Sequence, residues 1–137
     1  MSKYTHRVNY YETDKMGITH HSNYIRFMEE ARMNYLTEIG YPMTRLESEG
    51  VMSPVVSINC DYKTPTTYSD DIEIEVNVLK YSGVRLTLSY EMKNKNTGAL
   101  VANATSVHCF INDAGKPVAL KNMCPELDDM LKKLGGQ

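Results

Sequence analysis

The sequence predicts a single α+β domain, one long helix against an antiparallel sheet, and three observations carry that expectation. Apolar side chains repeat at helical spacing through "NYIRFMEEARMNYLTEIG", residues 23–40. Beyond residue 54 the chain alternates apolar and polar residues at strand spacing, and Gly- and Asn-bearing turns separate these runs. A sheet with one apolar face covers the apolar stripe of such a helix by wrapping around it.

Taken in order, "THRVNYYE" (5–12) is branched and aromatic without clean alternation, which predicts a short strand covered in part on both faces. The turn-rich "TDKMGITHHS" follows. In the helix, Tyr24, Phe27, Met28, Ala31, Tyr35 and Ile39 form the apolar stripe, with Ser22 as N-cap and Gly40 as the stop. After a loop containing Pro42, four strands are expected: "VVSINCDYK", "DDIEIEVNVLKY", "GVRLTLSYEMK" with Val84, Leu86, Leu88, Tyr90 and Met92 on one face, and the more buried "ALVANATSVHCFIN". A short amphipathic helix opened by Pro125, "PELDDMLKKLG", closes the chain. No repeat or linker interrupts residues 1–137, so one domain is expected.

Composition narrows the function. A formal net charge of −2 and a pI near 6.1 argue against a protein that tracks nucleic-acid phosphates. No apolar run is long enough for a membrane helix, and the polar start "MSKYTHR" lacks a signal-peptide core, so a cytoplasmic protein without membrane insertion is expected. Cys60, Cys109 and Cys124 are odd in number and widely spaced, which suggests neither a disulfide framework nor a zinc site.

The chemistry concentrates in "YYETDKMGITHHSNY", residues 10–24. This ordered series, continued by "RFMEEAR" and by "SINCDYKTPTTYSDDIEI" and "TSVHCFINDAGKPVAL", resembles the hotdog-fold acyl-CoA thioesterases of the 4-hydroxybenzoyl-CoA thioesterase type along nearly the whole chain. The resemblance implies a hotdog fold, with a five-stranded sheet around a central helix. It also implies dimers whose sheets join edge to edge, commonly paired into tetramers, and hydrolysis of a thioester without a cofactor, CoA being part of the substrate. By the same resemblance, Asp14 matches the catalytic acid, His21 a histidine seven residues beyond it, and Tyr10 a tyrosine four before it. Lys63, Lys80, Ser82 and Arg85 fall in regions where the family meets CoA phosphates; each is equally well an exposed residue beside a turn. Lys15 and Met16 depart from the residues that some relatives carry between the acid and the glycine. Other hotdog thioesterases use a helix glutamate, for which Glu29 and Glu30 are second choices.

The residues support this chemistry independently. A carboxylate near a helix N-terminus is favoured in its charged form, and first-turn N–H groups around Ser22, Asn23 and Tyr24 can receive an oxyanion. Asp14 then acts as nucleophile or as general base for water. His21 could orient substrate or water, and Gly17 provides a positive backbone angle or a close approach. Plainer roles stand beside these: Asp14 as a turn former, Tyr10 as a core aromatic, Tyr24 as packing, His108 as a structural histidine rather than a pocket residue. Adjacent histidines on an extended chain point to opposite faces, which disfavours His20 and His21 sharing a metal. Three rival functions remain: an acyl-carrier-protein thioesterase, a non-catalytic acyl-CoA-binding protein, and a metal-dependent hydrolase using His20 or His21.

Overall fold

The computed structural model describes residues 3–135, so the four terminal positions of the expected domain lie outside it. The strands are β1 (Tyr4–Arg7), β2 (Val55–Tyr62), β3 (Asp71–Tyr81), β4 (Arg85–Asn94) and β5 (Leu100–Cys109). They form a five-stranded antiparallel sheet in the order β1-β3-β4-β5-β2. In the β1–β3 register His6 faces Ile72, and backbone bonds from Cys109 to Pro54 and from Lys63 to Val101 run in the antiparallel sense between β5 and β2. The helices are α1 (Asn23–Glu38), α2 (Met43–Ser48), α3 (Leu120–Met123) and α4 (Pro125–Leu134).

Packing divides these residues into two compact units. The first holds the chain up to Tyr35 with Cys60–Val76 and Tyr90–Ala104; the second holds Leu36–Asn59, Asn77–Ser89 and the chain from Thr105 onward. In the first, the α1 stripe of Tyr24, Phe27, Met28, Ala31 and Tyr35 is buried, as are Ile72, Ile74, Tyr90 and Met92. The alternation that predicted β3 and β4 is thus their burial pattern. Val84 is an exception: it precedes β4 and is half exposed, because it sits in the hairpin turn with Gly83.

Two local expectations are corrected. The first strand ends at Arg7 rather than Glu12, because residues Tyr10–Glu12 form a 3-10 turn closed by Asn9, whose amide N–H donates to the Glu12 carboxylate at 2.7 Å. Ser22 precedes α1 as expected, but its hydroxyl pairs with His20 Nδ1 at 2.9 Å instead of capping the helix. Gly40 does stop α1: at φ 87° it lets the Tyr41 N–H reach the Leu36 carbonyl at 2.8 Å. The short α2 follows Pro42 where a loop was expected.

In the second unit, Leu46, Leu86, Leu88, Leu120, Leu127 and Leu131 are buried, and beside them lies Asp128. Asp128 accepts from the Tyr81 hydroxyl and pairs with Lys132 Nζ at 3.0 Å. Burial alone would push this carboxyl up, yet the Tyr81 and Lys132 contacts hold it below the usual aspartate value. A depressed folded-state value contributes stability above the unfolded value, near 3.8 for this carboxyl, and loses it as pH falls through the folded one. Asp128→Asn is therefore expected to cost about 1–3 kcal/mol near neutral pH. Urea titrations should show that deficit shrinking as pH is lowered from 6 toward 3; a constant deficit would refute the assignment.

Candidate functional site

The connection from the 3-10 turn to α1 folds back on itself. Asp14 N–H donates to the Ile18 carbonyl (2.8 Å), Gly17 N–H to the Asp14 carbonyl (2.9 Å), and Thr13 bridges Thr19 in antiparallel fashion. This turn needs a positive φ, which Gly17 supplies at 81°; no atom lies within 4 Å of a Cβ placed there, so the angle rather than a close approach requires glycine. Asp14 Oδ1 accepts the Met16 N–H at 2.8 Å, the two-residues-on geometry of an Asx turn. Asp14 is thus a turn former, and it also lines a cavity.

That cavity has a volume of about 280 Å³ and lies within the first unit. Asp14, Met16, Ile18, Thr19, His21 and Tyr24 line it from the connection and α1, and Tyr62, Lys63, Thr64 and Pro65 from the end of β2 and the loop beyond. Three buried hydroxyls join: Thr19 Oγ1 lies 2.6 Å and the Tyr24 hydroxyl 2.9 Å from Thr66 Oγ1. The loop from Thr64 is tied to the connection by the Thr19 N–H, which donates to the Thr66 carbonyl (2.8 Å), and by Thr67 Oγ1, which donates to the Gly17 carbonyl (2.7 Å).

Asp14 and His21 are therefore brought to one cavity, seven residues apart in sequence. The His21 and His20 rings stack at 4.3 Å and 28°, on the same side of the chain. The opposite-faces expectation is corrected: these residues sit in a turn, not in an extended strand. Among the described residues, no group of three or more His, Cys, Asp or Glu is placed to hold a metal. Tyr10 lies in the 3-10 turn, 76% exposed and edge-on to Tyr68 at 5.7 Å. The core role weighed for it is excluded by that exposure.

The expected oxyanion donors are partly spent. Asn23 N–H donates to the His20 carbonyl (3.0 Å) and Tyr24 N–H to the His21 carbonyl (3.2 Å), while Ser22 N–H makes one long contact to His20 Nδ1 at 3.3 Å. The Asn23 side chain donates to the Glu12 carbonyl at 2.9 Å, which makes it a tie within the chain. Tyr24 is buried, its ring edge-on to Tyr62 (5.3 Å) and Phe27 (5.5 Å). It serves packing and the cavity wall together.

Of the residues expected at CoA phosphates, Lys63 lines the cavity. Lys80, Ser82 and Arg85 belong to the second unit, where the Ser82 N–H donates to the Arg85 carbonyl and the Arg85 N–H to Ser82 Oγ, both at 3.0 Å, closing the β3–β4 hairpin. His108 is buried in that unit with Nε2 2.7 Å from Ser106 Oγ, the structural role weighed for it. Glu29 is exposed near Arg32, and Glu30 bonds His6 and Tyr4. Sequence reasoning missed Tyr62, Thr64, Pro65 and Thr66; the string "TPTTY" carries no periodicity, and its place becomes visible only once β2 has ended.

Burial, aided by Cys60 and Tyr24, pushes the Tyr62 phenol up to about 12, and burial also raises the Tyr24 phenol and the Cys60 thiol. These groups stay protonated near neutral pH. No thiolate or phenolate is offered by them, and Asp14 is the carboxylic residue among those that line the cavity.

A model of the thioesterase-like superfamily matches residues 8–134. The chain is 35% identical to Bacillus subtilis YneP, provisionally named an acyl-CoA thioesterase, over 92% of this chain and 91% of that one. It is 30% identical to the acyl-CoA thioesterase YbgC of Haemophilus influenzae, over 82% and 83%. Among solved structures, the DHNA-CoA thioesterase of Staphylococcus aureus superposes with a TM-score of 0.93 at 31% identity, covering 98% of this chain and 91% of that one.

Proposed function

The chain belongs to the thioesterase-like superfamily and is a thioester hydrolase; from that premise we propose that it cleaves acyl-CoA to free acid and CoA at the Asp14–His21 cavity. One observation carries the reading: a carboxylate held by its own Asx turn and an imidazole line the same largely apolar cavity. Its volume, about 280 Å³, lies just below the roughly 300–1,000 Å³ typical of ligand pockets. The acyl group therefore enters and the CoA moiety stays outside, with Lys63 at the wall available to a phosphate.

Asp14 acts in one of two ways. As nucleophile, a carboxylate oxygen adds to the thioester carbon, the C–S bond breaks to release CoA thiolate, and water cleaves the resulting mixed anhydride to regenerate the carboxylate. As general base, it takes a proton from a water whose oxygen adds to that carbon, and the same C–S bond breaks. Either way the carbonyl oxygen becomes an oxyanion. The Ser22 N–H and the positive end of the α1 dipole support it, the Asn23 and Tyr24 amides being engaged with turn carbonyls. His21 orients water or protonates the departing sulfur. Thiolate is a good leaving group, and the reaction as written needs no cofactor.

The protein acts as a homodimer, or a dimer of dimers, joined through β2. This edge strand has β5 on one side, is exposed along almost its whole length, and presents Val55, Val56 and Tyr62, each 45–49% exposed. A bare apolar edge is a template for pairing with a second copy. The three free cysteines fit the reducing cytoplasm, and none of the described helices is long and apolar enough to cross a membrane.

Asp14→Asn is expected to lower kcat for thiol release from acyl-CoAs by about 10²–10⁴-fold while remaining folded by circular dichroism. Wild-type protein that releases no thiol from aliphatic or aromatic acyl-CoAs, or a variant that matches it, would sink the reading. Sedimentation should give the mass of two or four chains; a mass of 15.6 kDa, that of one chain, would exclude the β2 pairing.

A further inference from the structure

A cluster of ionisable side chains, two of them buried, lies outside the cavity, at the root of the connection that carries Asp14. His6, on β1, is 8% exposed and stacks on Phe27 of α1 with ring centroids 3.9 Å apart. Its Nε2 lies 2.8 Å from Glu12 Oε1 and its Nδ1 2.9 Å from Glu30 Oε1. Glu12 is 6% exposed, and the same Oε1 accepts the Asn9 N–H at 2.7 Å; Glu30 Oε1 also accepts the Tyr4 hydroxyl at 2.8 Å. The neighbouring charges of β1 and β3 are paired with one another, Lys3 with Glu73 and Arg7 with Asp71.

A buried carboxylate is costly unless its partners are well placed, so this cluster calls for an explanation in what it holds. Glu12 supplies one. While its side chain is held by His6, its backbone carbonyl accepts both the His20 N–H (2.8 Å) and the Asn23 side-chain amide (2.9 Å). Those bonds fix the far end of the connection, one residue before His21, and Asp14 lies two residues after Glu12. A single residue thereby anchors both ends of the segment, and His6 ties that residue to α1 through Glu30.

We infer that His6 is a positioning residue for hydrolysis: by bridging Glu12 to Glu30 it locks the Asp14–His21 segment against helix α1. The inference rests on the hydrolase reading above. It differs from a purely structural role in what it predicts, because a reacting carboxylate displaced by a fraction of an ångström loses rate before it loses binding.

The test compares Glu30→Ala, Glu30→Gln and His6→Gln with wild type and Asp14→Asn. It reads kcat and KM for thiol release, melting temperature, and, without substrate, amide hydrogen exchange across residues 13–22. Glu30 is partly exposed, so its variants keep the fold testable even if His6→Gln does not. Glu30→Ala is expected to lower kcat about tenfold with KM within about twofold, and to speed exchange across the segment. Glu30→Gln, whose amide oxygen still accepts from His6 and Tyr4, should stay near wild type in both readouts, which a catalytic carboxylate would not do. Loss of wild-type turnover on every acyl-CoA overturns the hydrolase reading. Wild-type turnover that Asp14→Asn abolishes but Glu30→Ala leaves unmoved, with unchanged exchange, overturns the positioning role alone. Equal losses in Glu30→Ala and Glu30→Gln, or losses in step with the folded fraction, overturn it as well.

Discussion

The carbonyl oxygen of Glu12 accepts two hydrogen bonds, from the His20 amide and the Asn23 side chain, and the site depends on that closure. A connection with Gly17 at its apex would otherwise have many conformations available, and ordering each residue costs roughly 1–2 kcal/mol of backbone entropy. Tying its two ends to one atom makes the Asp14 turn, the stacked histidines and the start of α1 one ordered piece. The Thr19–Thr66 and Gly17–Thr67 bonds extend that order to the loop behind β2, and so form the cavity.

The ionisable side chains of the cavity differ in their surroundings. Burial raises the Tyr24 and Tyr62 phenols in the mostly apolar wall, and Asp14, His21 and Lys63 are the other ionisable residues that line it. The Asx turn fixes the Asp14 rotamer through the Met16 N–H, 2.8 Å from Oδ1.

Much of this was legible in the sequence where physical periodicity is strong. The α1 stripe from Tyr24 to Tyr35 and the Ile72–Val78 alternation state their burial directly. The turn at Gly17 and the placing of Asp14 and His21 beside one cavity follow from chain proximity and the positive φ at Gly17, which are local properties. What failed was equally physical. "NYYE" has strand propensity, yet a capping interaction between Asn9 and Glu12 diverts it into a 3-10 turn. The buried partnership of His6, Glu12 and Glu30 spans 24 residues of sequence, and no local pattern announces it. The loop wall at Tyr62–Thr66 likewise depends on tertiary hydrogen bonds.

In the proposed function, acyl thioesters are held at the connection between the first strand and α1. The most direct measurement is an NMR titration with a non-hydrolysable thioether analogue of acyl-CoA, following backbone amides along the whole chain. Saturable shifts concentrated at residues 14–24 and 62–66 are expected. Saturable binding that leaves those amides unmoved and perturbs another surface would contradict it.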